Sequence, residues 1–415
     1  MHIEIVSIGD ELLKGMVINT NAAFLSRALF EKGYRISRHT VFSDDPPTLD
    51  KELRAALSRS SVIITTGGLG STLDDHTRKI AAVLFGSDFT YNEAIAQDLK
   101  KRYGENFASV KDQATIPTKA TPLFNKIGTA PGLVFSADHK MLILLPGVPL
   151  EMQALFTEKV LPLLQERMPV KEKTHFAQLH FCLLVESSID PLLRELRERF
   201  PEVQVGIYPS YGSVSVLLQS AQAEQLLAFK QACEKHFALH LFSTESGKIE
   251  EAVQSWFIQH KKRLALAESC TGGAIAQQLV SVPGASDYFL GSFVTYSDAL
   301  KMRALGVSQN TLKTHGAVSA ACVKEMLAGV FHNPEPDFAI AVTGVAGPTA
   351  ASSSIPVGTV WAAIGERGHE PEVGELWIPG SRLKIIQTAA NCLLGALWRK
   401  AACQIPAFPF PIYSR

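Results

Sequence analysis

What most constrains the fold of this chain is the way its apolar runs end. Val62-Ile63-Ile64 enters the loop Thr65 to Leu73, Met141 to Leu145 meets Pro146-Gly147-Val148-Pro149, and Leu264 to Ala267 runs into Glu268-Ser269-Cys270-Thr271-Gly272-Gly273. A helical pattern follows each turn. Short apolar runs bounded by such turns read as strands buried on both faces, and their alternation with helices predicts an α/β architecture with a parallel sheet. Open sheets of this kind bind ligands at the carboxyl ends of their strands, so the turns themselves become the candidate sites.

The same rhythm organises most of the 415 residues. Ile3 to Ile8 reads as a strand. Phe24, Leu25, Ala28 and Leu29 then share one helical face, with Asn21 as the expected cap and Gly33 as the stop. Leu49, Leu53, Ala56 and Leu57 mark a second helix, and Ile80 and Leu84 a third. Between about 172 and 245 the order becomes β-α-β-β-α-β, as in a split-βαβ module with a structural or spacer role. A helix around Trp256 opens a further α/β unit, which continues through the strand Phe338 to Val342, a strand Gly358 to Ile364 and a helix from Leu383. The tail from Gln404, rich in proline and phenylalanine, lacks any regular pattern. The expected division is 1–170, a small α+β module at 171–246, 247–403 and an irregular tail at 404–415.

Composition narrows the function classes. Forty Lys+Arg balance forty Asp+Glu, so no overall cationic field collects a polyanion such as nucleic acid. The six cysteines follow no C-x-x-C or Cys/His spacing and read as reduced core thiols. The N-terminus carries acids where a signal peptide carries bases, and no apolar run approaches the roughly 18 residues of a membrane span. The expectation is a cytoplasmic protein without membrane partners.

Two constellations carry chemistry. Thr66-Gly67-Gly68-Leu69-Gly70-Ser71-Thr72-Leu73-Asp74-Asp75 lies between a strand and a helix, where Gly67, Gly68 and Gly70 permit close backbone approach and helix N–H groups face an anion. It has neither the Lys of a P-loop nor the third Gly of a dinucleotide fingerprint. Asp74, Asp75 and Glu11, at the same sheet edge, are of the type that holds a divalent cation bridging phosphoryl oxygens; a tight turn capped by Asp75 is the structural alternative. In the other constellation, Ser269 sits at a strand-to-helix turn beside the backbone of Thr271, Gly272 and Gly273, as a nucleophile with oxyanion donors would. A helix cap is its structural alternative. Tyr296 at a strand end and Lys301 one turn into the next helix are placed to converge on Ser269 as proton carriers. Cys270 competes as nucleophile, with a small buried thiol as its plainer role. Arg382, ahead of the last long helix, is a candidate fork for a phosphate or a carboxylate, with a surface arginine as its plainer role.

Together these motifs resemble the CinA family over nearly the whole chain. Gly9-Asp10-Glu11-Leu12-Leu13, Asn19-Thr20-Asn21, the glycine loop, Gly128-Thr129-Ala130-Pro131-Gly132 and Leu145-Pro146-Gly147-Val148-Pro149-Leu150-Glu151-Met152 are similar to that family's molybdopterin-binding-like domain. The resemblance implies a three-layer α/β/α domain with metal-dependent ADP-ribose pyrophosphatase activity and a divalent metal ion at Asp75, Asp74 and Glu11. Ala267 to Gly273, Val294-Thr295-Tyr296-Ser297, Lys301, Gly316 to Ser319, Val342 to Pro348 and Pro356 to Trp361 are similar to the nicotinamide-nucleotide amidase domain. That likeness implies conversion of nicotinamide mononucleotide to nicotinate mononucleotide and ammonia in pyridine-nucleotide salvage, with no cofactor. Ser269 would be the acyl nucleophile, Tyr296 and Lys301 its proton-transfer partners, Thr343 and Gly344 pocket residues, Arg382 the phosphate ligand, and a homodimer the assembly.

Three segments depart from the pattern. Ser71 replaces a proline, Val110 to Ala114 replaces an Asn-x-Lys-Gln-Ala run, and Thr349-Ala350-Ala351-Ser352-Ser353-Ser354 stands where relatives carry glycines. Alanine at a position that needs a positive φ costs on the order of 1 kcal/mol. A nucleotide-binding or scaffolding protein without turnover therefore stands as a third reading beside the two hydrolases.

Overall fold

The computed structural model describes residues 2–70, 75–137, 139–170, 174–332, 335–350, 355–409 and 412–413. They divide into two compact units, 1–173 and 174–415. Ser71, Asp74 and Ala351 to Ser354 lie outside the described residues.

In the first unit, a six-stranded sheet runs in the order Ile36–Phe42, Ile3–Ile8, Val62–Thr66, Lys140–Leu145, Gly132–Ala137, Ala120–Leu123. Its central strands bury alternate residues on opposite faces. Ile3, Ile5, Val62, Ile64, Ile143 and Leu145 pack under Leu25, Leu29, Met152 and Phe156, while Val6, Ile8, Ile63, Leu142 and Leu144 pack under Leu49, Leu53 and Leu99. Helices on both faces explain why the strands are apolar without alternation. The sheet is mixed rather than wholly parallel: the first four strands are parallel, and the last two pair antiparallel. Gly132–Ala137 and Lys140–Leu145 are joined by too few residues for a crossover, so only a hairpin is geometrically open to them.

The second unit begins with the β-α-β-β-α-β module, whose antiparallel sheet runs Gln204–Ser210, Ser213–Ser220, His175–Cys182, Leu241–Ser243. This module is not loosely tethered. Cys182, Leu183 and Phe242 belong to the core of the following α/β part, and a Cβ on Gly395 would stand 2.9 Å from Cys182 Cβ. Beyond it, a five-stranded sheet runs Phe289–Val294, Leu264–Glu268, Phe338–Gly344, Thr359–Glu366, Glu372–Trp377, with the first three strands parallel and the last two antiparallel. The face made of Ala265, Ala267, Ala339, Ala341 and Ala363 lets the helix Ala320–His332 approach closely through Val323, Met326 and Leu327. The opposite face carries Leu264, Leu266, Ile340 and Val342 beneath the 22-residue helix Arg382–Cys403. The tail is irregular, yet Ala407 and Ile412 are buried and Trp377 N–H donates to Tyr413 O at 2.7 Å.

Candidate functional site

The strand Leu264–Glu268 lies between two parallel neighbours, so its carboxyl end opens at the sheet edge where two strand ends meet. Gly272 and Gly273 then turn the chain at φ 63° and 98°, angles that L side chains rarely adopt, and the helix Ala274–Val280 follows. Glu268, wholly buried, holds this turn from within. Its carboxylate accepts from Thr271 Oγ1 at 2.8 Å, from Gly273, Ile275 and Ala276 N–H at 3.1, 3.1 and 3.0 Å, and from Ser292 Oγ at 3.0 Å. The cap of the helix is therefore Glu268, and the hydroxyl of Ser269 is left for another role. A carboxylate closing an apolar strand directly before the turn was the sequence signal for this, and spacing rules alone do not single it out.

Ser269 Oγ stands 3.0 Å from Lys301 Nζ, which also donates to Thr295 O at 3.0 Å. Lys301 is 2% exposed and forms no ion pair with a carboxylate among the described residues. The helix Asp298–Leu305 carries it inward, capped by Ser297. Thr295 N–H is tied to Glu268 O at 2.8 Å, so one residue braces both the serine turn and the strand end that receives the lysine. The N–H of Thr271 meets no acceptor in the hydrogen bonds of the described residues, and that of Cys270 meets only its own thiol. Cys270 is buried, and that burial pushes its thiol up to about 12.

Other candidates are placed differently. Tyr296 is 59% exposed, and its hydroxyl accepts from Arg382 Nη2 at 2.7 Å; that bond, and not one to Ser269, is the contact the structure gives it. Arg382 also donates to Gly347 O at 2.6 Å and starts the last helix, with Ser381 as its cap. Thr343 is buried with its hydroxyl on Ala317 O at 2.8 Å, and a Cβ on Gly344 would meet Thr359 O at 2.7 Å. Both shape the neighbouring backbone rather than present a free polar group.

In the first unit, Gly67 and Gly68 have φ 112° and 68°, and Cβ atoms there would lie 2.2 Å from Ile8 O and 2.1 Å from Thr77 Oγ1. The loop admits only glycine at both positions. Asn21 does not cap its helix; Asn19 does, through Ala22 N–H at 3.1 Å. Buried Asn21 instead donates through Nδ2 to Thr66 Oγ1 and Gly147 O, both at 2.8 Å, tying the glycine loop to the Pro146-Gly147 turn. Together with Glu11, Ser7 and Pro149 it lines a cleft of about 120 Å³. Asp75 Oδ2 lies where a Cβ on Gly70 would approach to 2.5 Å. Among the described residues no group of three or more His, Cys, Asp or Glu is arranged to hold a metal ion.

Comparison with known proteins places these sites in context. The family described as "CinA C-terminal domain" matches residues 246–400, and the family described as "Probable molybdopterin binding domain" matches residues 4–166. A CinA-like protein of Akkermansia muciniphila is 35% identical over 406 residues, covering 96% of this chain and 97% of its own length. A CinA-like protein of Gemmatimonas aurantiaca is 34% identical over 419 residues, covering 97% of each chain. Among solved structures, the competence damage-inducible protein A from Klebsiella pneumoniae subsp. pneumoniae MGH 78578 is 37% identical with a TM-score of 0.36, and the likeness covers 37% of this chain and 95% of that one.

Proposed function

The chain belongs to the CinA family, and from that premise we propose that its second unit hydrolyses the amide of nicotinamide mononucleotide, giving nicotinate mononucleotide and ammonia. The observation that carries this reading is the 3.0 Å approach of Lys301 Nζ to Ser269 Oγ inside the protein. A serine hydroxyl is a weak nucleophile until a base takes its proton, and an amine held at hydrogen-bond distance is such a base. Ser269 Oγ attacks the carboxamide carbon while its proton passes to the amine form of Lys301. The oxygen that becomes negative is received by the N–H groups of Cys270 and Thr271. The resulting ammonium of Lys301 returns the proton to the departing nitrogen, which leaves as ammonia while the acyl group stays on Ser269 Oγ as an ester. Water, deprotonated by Lys301, attacks that ester, and Lys301 then gives the proton to Ser269 Oγ as the acid departs, which restores both groups. Arg382, exposed at the helix start, is the group to take the phosphate, and its bond to Tyr296 makes the tyrosine an orienting partner of the arginine.

The test is to incubate the full chain with nicotinamide mononucleotide and identify the products. Stoichiometric ammonia and nicotinate mononucleotide, lost by a factor of about 10³ or more in Ser269→Ala, support the reading. Unchanged ammonia release in that variant sinks it.

A second reading belongs to the first unit, where the glycine cradle of Gly67 and Gly68 supports binding of a diphosphate such as that of ADP-ribose. Pyrophosphate hydrolysis needs a divalent metal to activate water, and Asp75 and Glu11 belong to no three-membered ligand group among the described residues. Asp74, the third carboxylate expected to hold that metal, lies outside the described residues, and what the cradle itself supports is binding. Gly68→Ala, which puts a methyl group on Thr77, is expected to abolish ADP-ribose binding seen by calorimetry; retained binding rejects the cradle.

A further inference from the structure

A cleft of about 860 Å³ lies in the second unit, where the β-α-β-β-α-β module meets the start of the Arg382–Cys403 helix. Its lining joins Tyr211 from the Gln204–Ser210/Ser213–Ser220 hairpin, Glu186 and Arg194 from the Glu186–Arg199 helix, and Lys384 from the Arg382–Cys403 helix. None of these groups has a part in the amide chemistry. The volume is within the range of small-ligand pockets, about 300–1,000 Å³. Arg194 is paired with Asp190 at 2.7 Å, which neutralises one of the two carboxylates. Lys384 and Glu186 form no ion pair among the described residues. The lining thus offers an aromatic face, a cation and a carboxylate from three separate elements. A planar base, a phosphate and a ribose diol are the chemistry that answers those three groups together.

The cleft is wired to the catalytic turn. Asn391, two turns along the same helix from Lys384, donates through Nδ2 to Tyr211 O at 2.7 Å and accepts through Oδ1 from Gln278 Nε2 at 2.9 Å. Gln278 lies on the helix Ala274–Val280 that the Ser269 turn begins. Lys384 in turn lies two residues from Arg382, which holds Tyr296 and Gly347 O. The hairpin cannot shift on the last helix without meeting Cys392, since a Cβ on Gly212 would lie 2.7 Å from its Sγ. We propose that this cleft is an effector site for a nucleotide, and that occupancy is felt at the Ser269 turn through Asn391 and Gln278. Binding there is independent of the amidase reading; only the meaning of its effect on turnover rests on that reading.

The experiment uses the full chain with adenosine monophosphate and, separately, inorganic phosphate as probes. Affinity is read by calorimetry and the state of the catalytic turn by amide hydrogen exchange in residues 269–280, which needs no activity. Adenosine monophosphate is expected to bind, to lose at least tenfold in affinity in both Lys384→Glu and Tyr211→Ala, and to slow exchange in 269–280 in the wild type but not in the variants. Lys384 is exposed and Tyr211 is 41% exposed, so neither change empties a core. Equal affinity in wild type and variants, phosphate binding as tightly as the nucleotide, protection confined to residues 66–70, or binding that leaves 269–280 unprotected would each overturn the proposal. If the wild type turns over no amide while these binding outcomes hold, the amidase reading falls and the effector site stands.

Discussion

At the scale of single residues, the proposed amide hydrolysis turns on which of two adjacent side chains would be the nucleophile. Ser269 has the buried Nζ of Lys301 at 3.0 Å, whereas burial holds the neighbouring Cys270 thiol up at about 12, so it stays protonated across the whole neutral range. Cys270→Ala is expected to keep turnover within a few-fold of wild type, and iodoacetamide at pH 8 to leave Cys270 unmodified in the folded protein. Rapid alkylation of that residue with parallel loss of activity would reverse the assignment. Lys301→Met keeps the length and apolar stem of the side chain while removing the base, and a loss of kcat of about 10³-fold is expected, with KM changing less than threefold. A large rise in KM with kcat preserved would make Lys301 a binding group instead.

At the scale of elements, the site depends on how strand ends and helix starts are joined. Glu268 gathers five donors, and Glu268→Gln would turn an amide NH2 toward groups that are themselves donors, a cost of about 1–3 kcal/mol where a donor is left unpaired. Its expected signature is a fall in kcat of more than tenfold at temperatures where circular dichroism shows the protein folded; undiminished kcat would leave Glu268 a purely structural cap. Glu4 shows a second buried carboxylate at work. Burial pushes its pKa up, but hydrogen bonds from Arg59 at 2.6 and 2.9 Å, Thr40 at 2.7 Å and Ser60 at 2.9 Å outweigh that and leave it below the ordinary glutamate value. A depressed carboxylate adds stability above the unfolded-state value and loses it as pH falls through the folded one. Glu4→Gln is thus expected to lower stability at pH 7 and to flatten the acid limb below about pH 4 in denaturant titrations; an unchanged acid limb would refute the pairing.

Strands are the elements most legible in the sequence, and helix caps the least. Apolar runs such as Ile3 to Ile8 and Leu264 to Ala267 are strands because burial on both faces demands that composition. Asn21 has the residue type of a cap, but tertiary bonding to Thr66 and Gly147 takes its side chain and Asn19 caps instead. Spacing is enough to bring Lys301 toward Ser269, since a lysine one turn into a helix points back over the preceding strand end. Spacing did not reveal that Tyr296 turns to Arg382, a partner 86 residues away. The cap formed by Glu268 was equally hidden, because three of its five partners are backbone N–H groups that every sequence possesses.

At the scale of the whole molecule, two compact units each carry a glycine-built turn at the carboxyl edge of a sheet, and the small module packs into the core of the second. No helix among the described residues is long and apolar enough to cross a membrane. With forty basic and forty acidic residues, the chain is expected to show no DNA retardation in a gel shift at 0.1 M salt; binding that weakens steeply with salt would reveal a local basic patch. Covalent catalysis by Ser269 with Lys301 as its base would leave a trapped intermediate, which is sought by quenching the reaction with nicotinamide mononucleotide in acid and mapping the adduct by peptide mass spectrometry. An acyl ester on Ser269, absent in both Ser269→Ala and Lys301→Met, is the expected result. An adduct on Cys270, or ammonia released at the wild-type rate by Ser269→Ala, would contradict it.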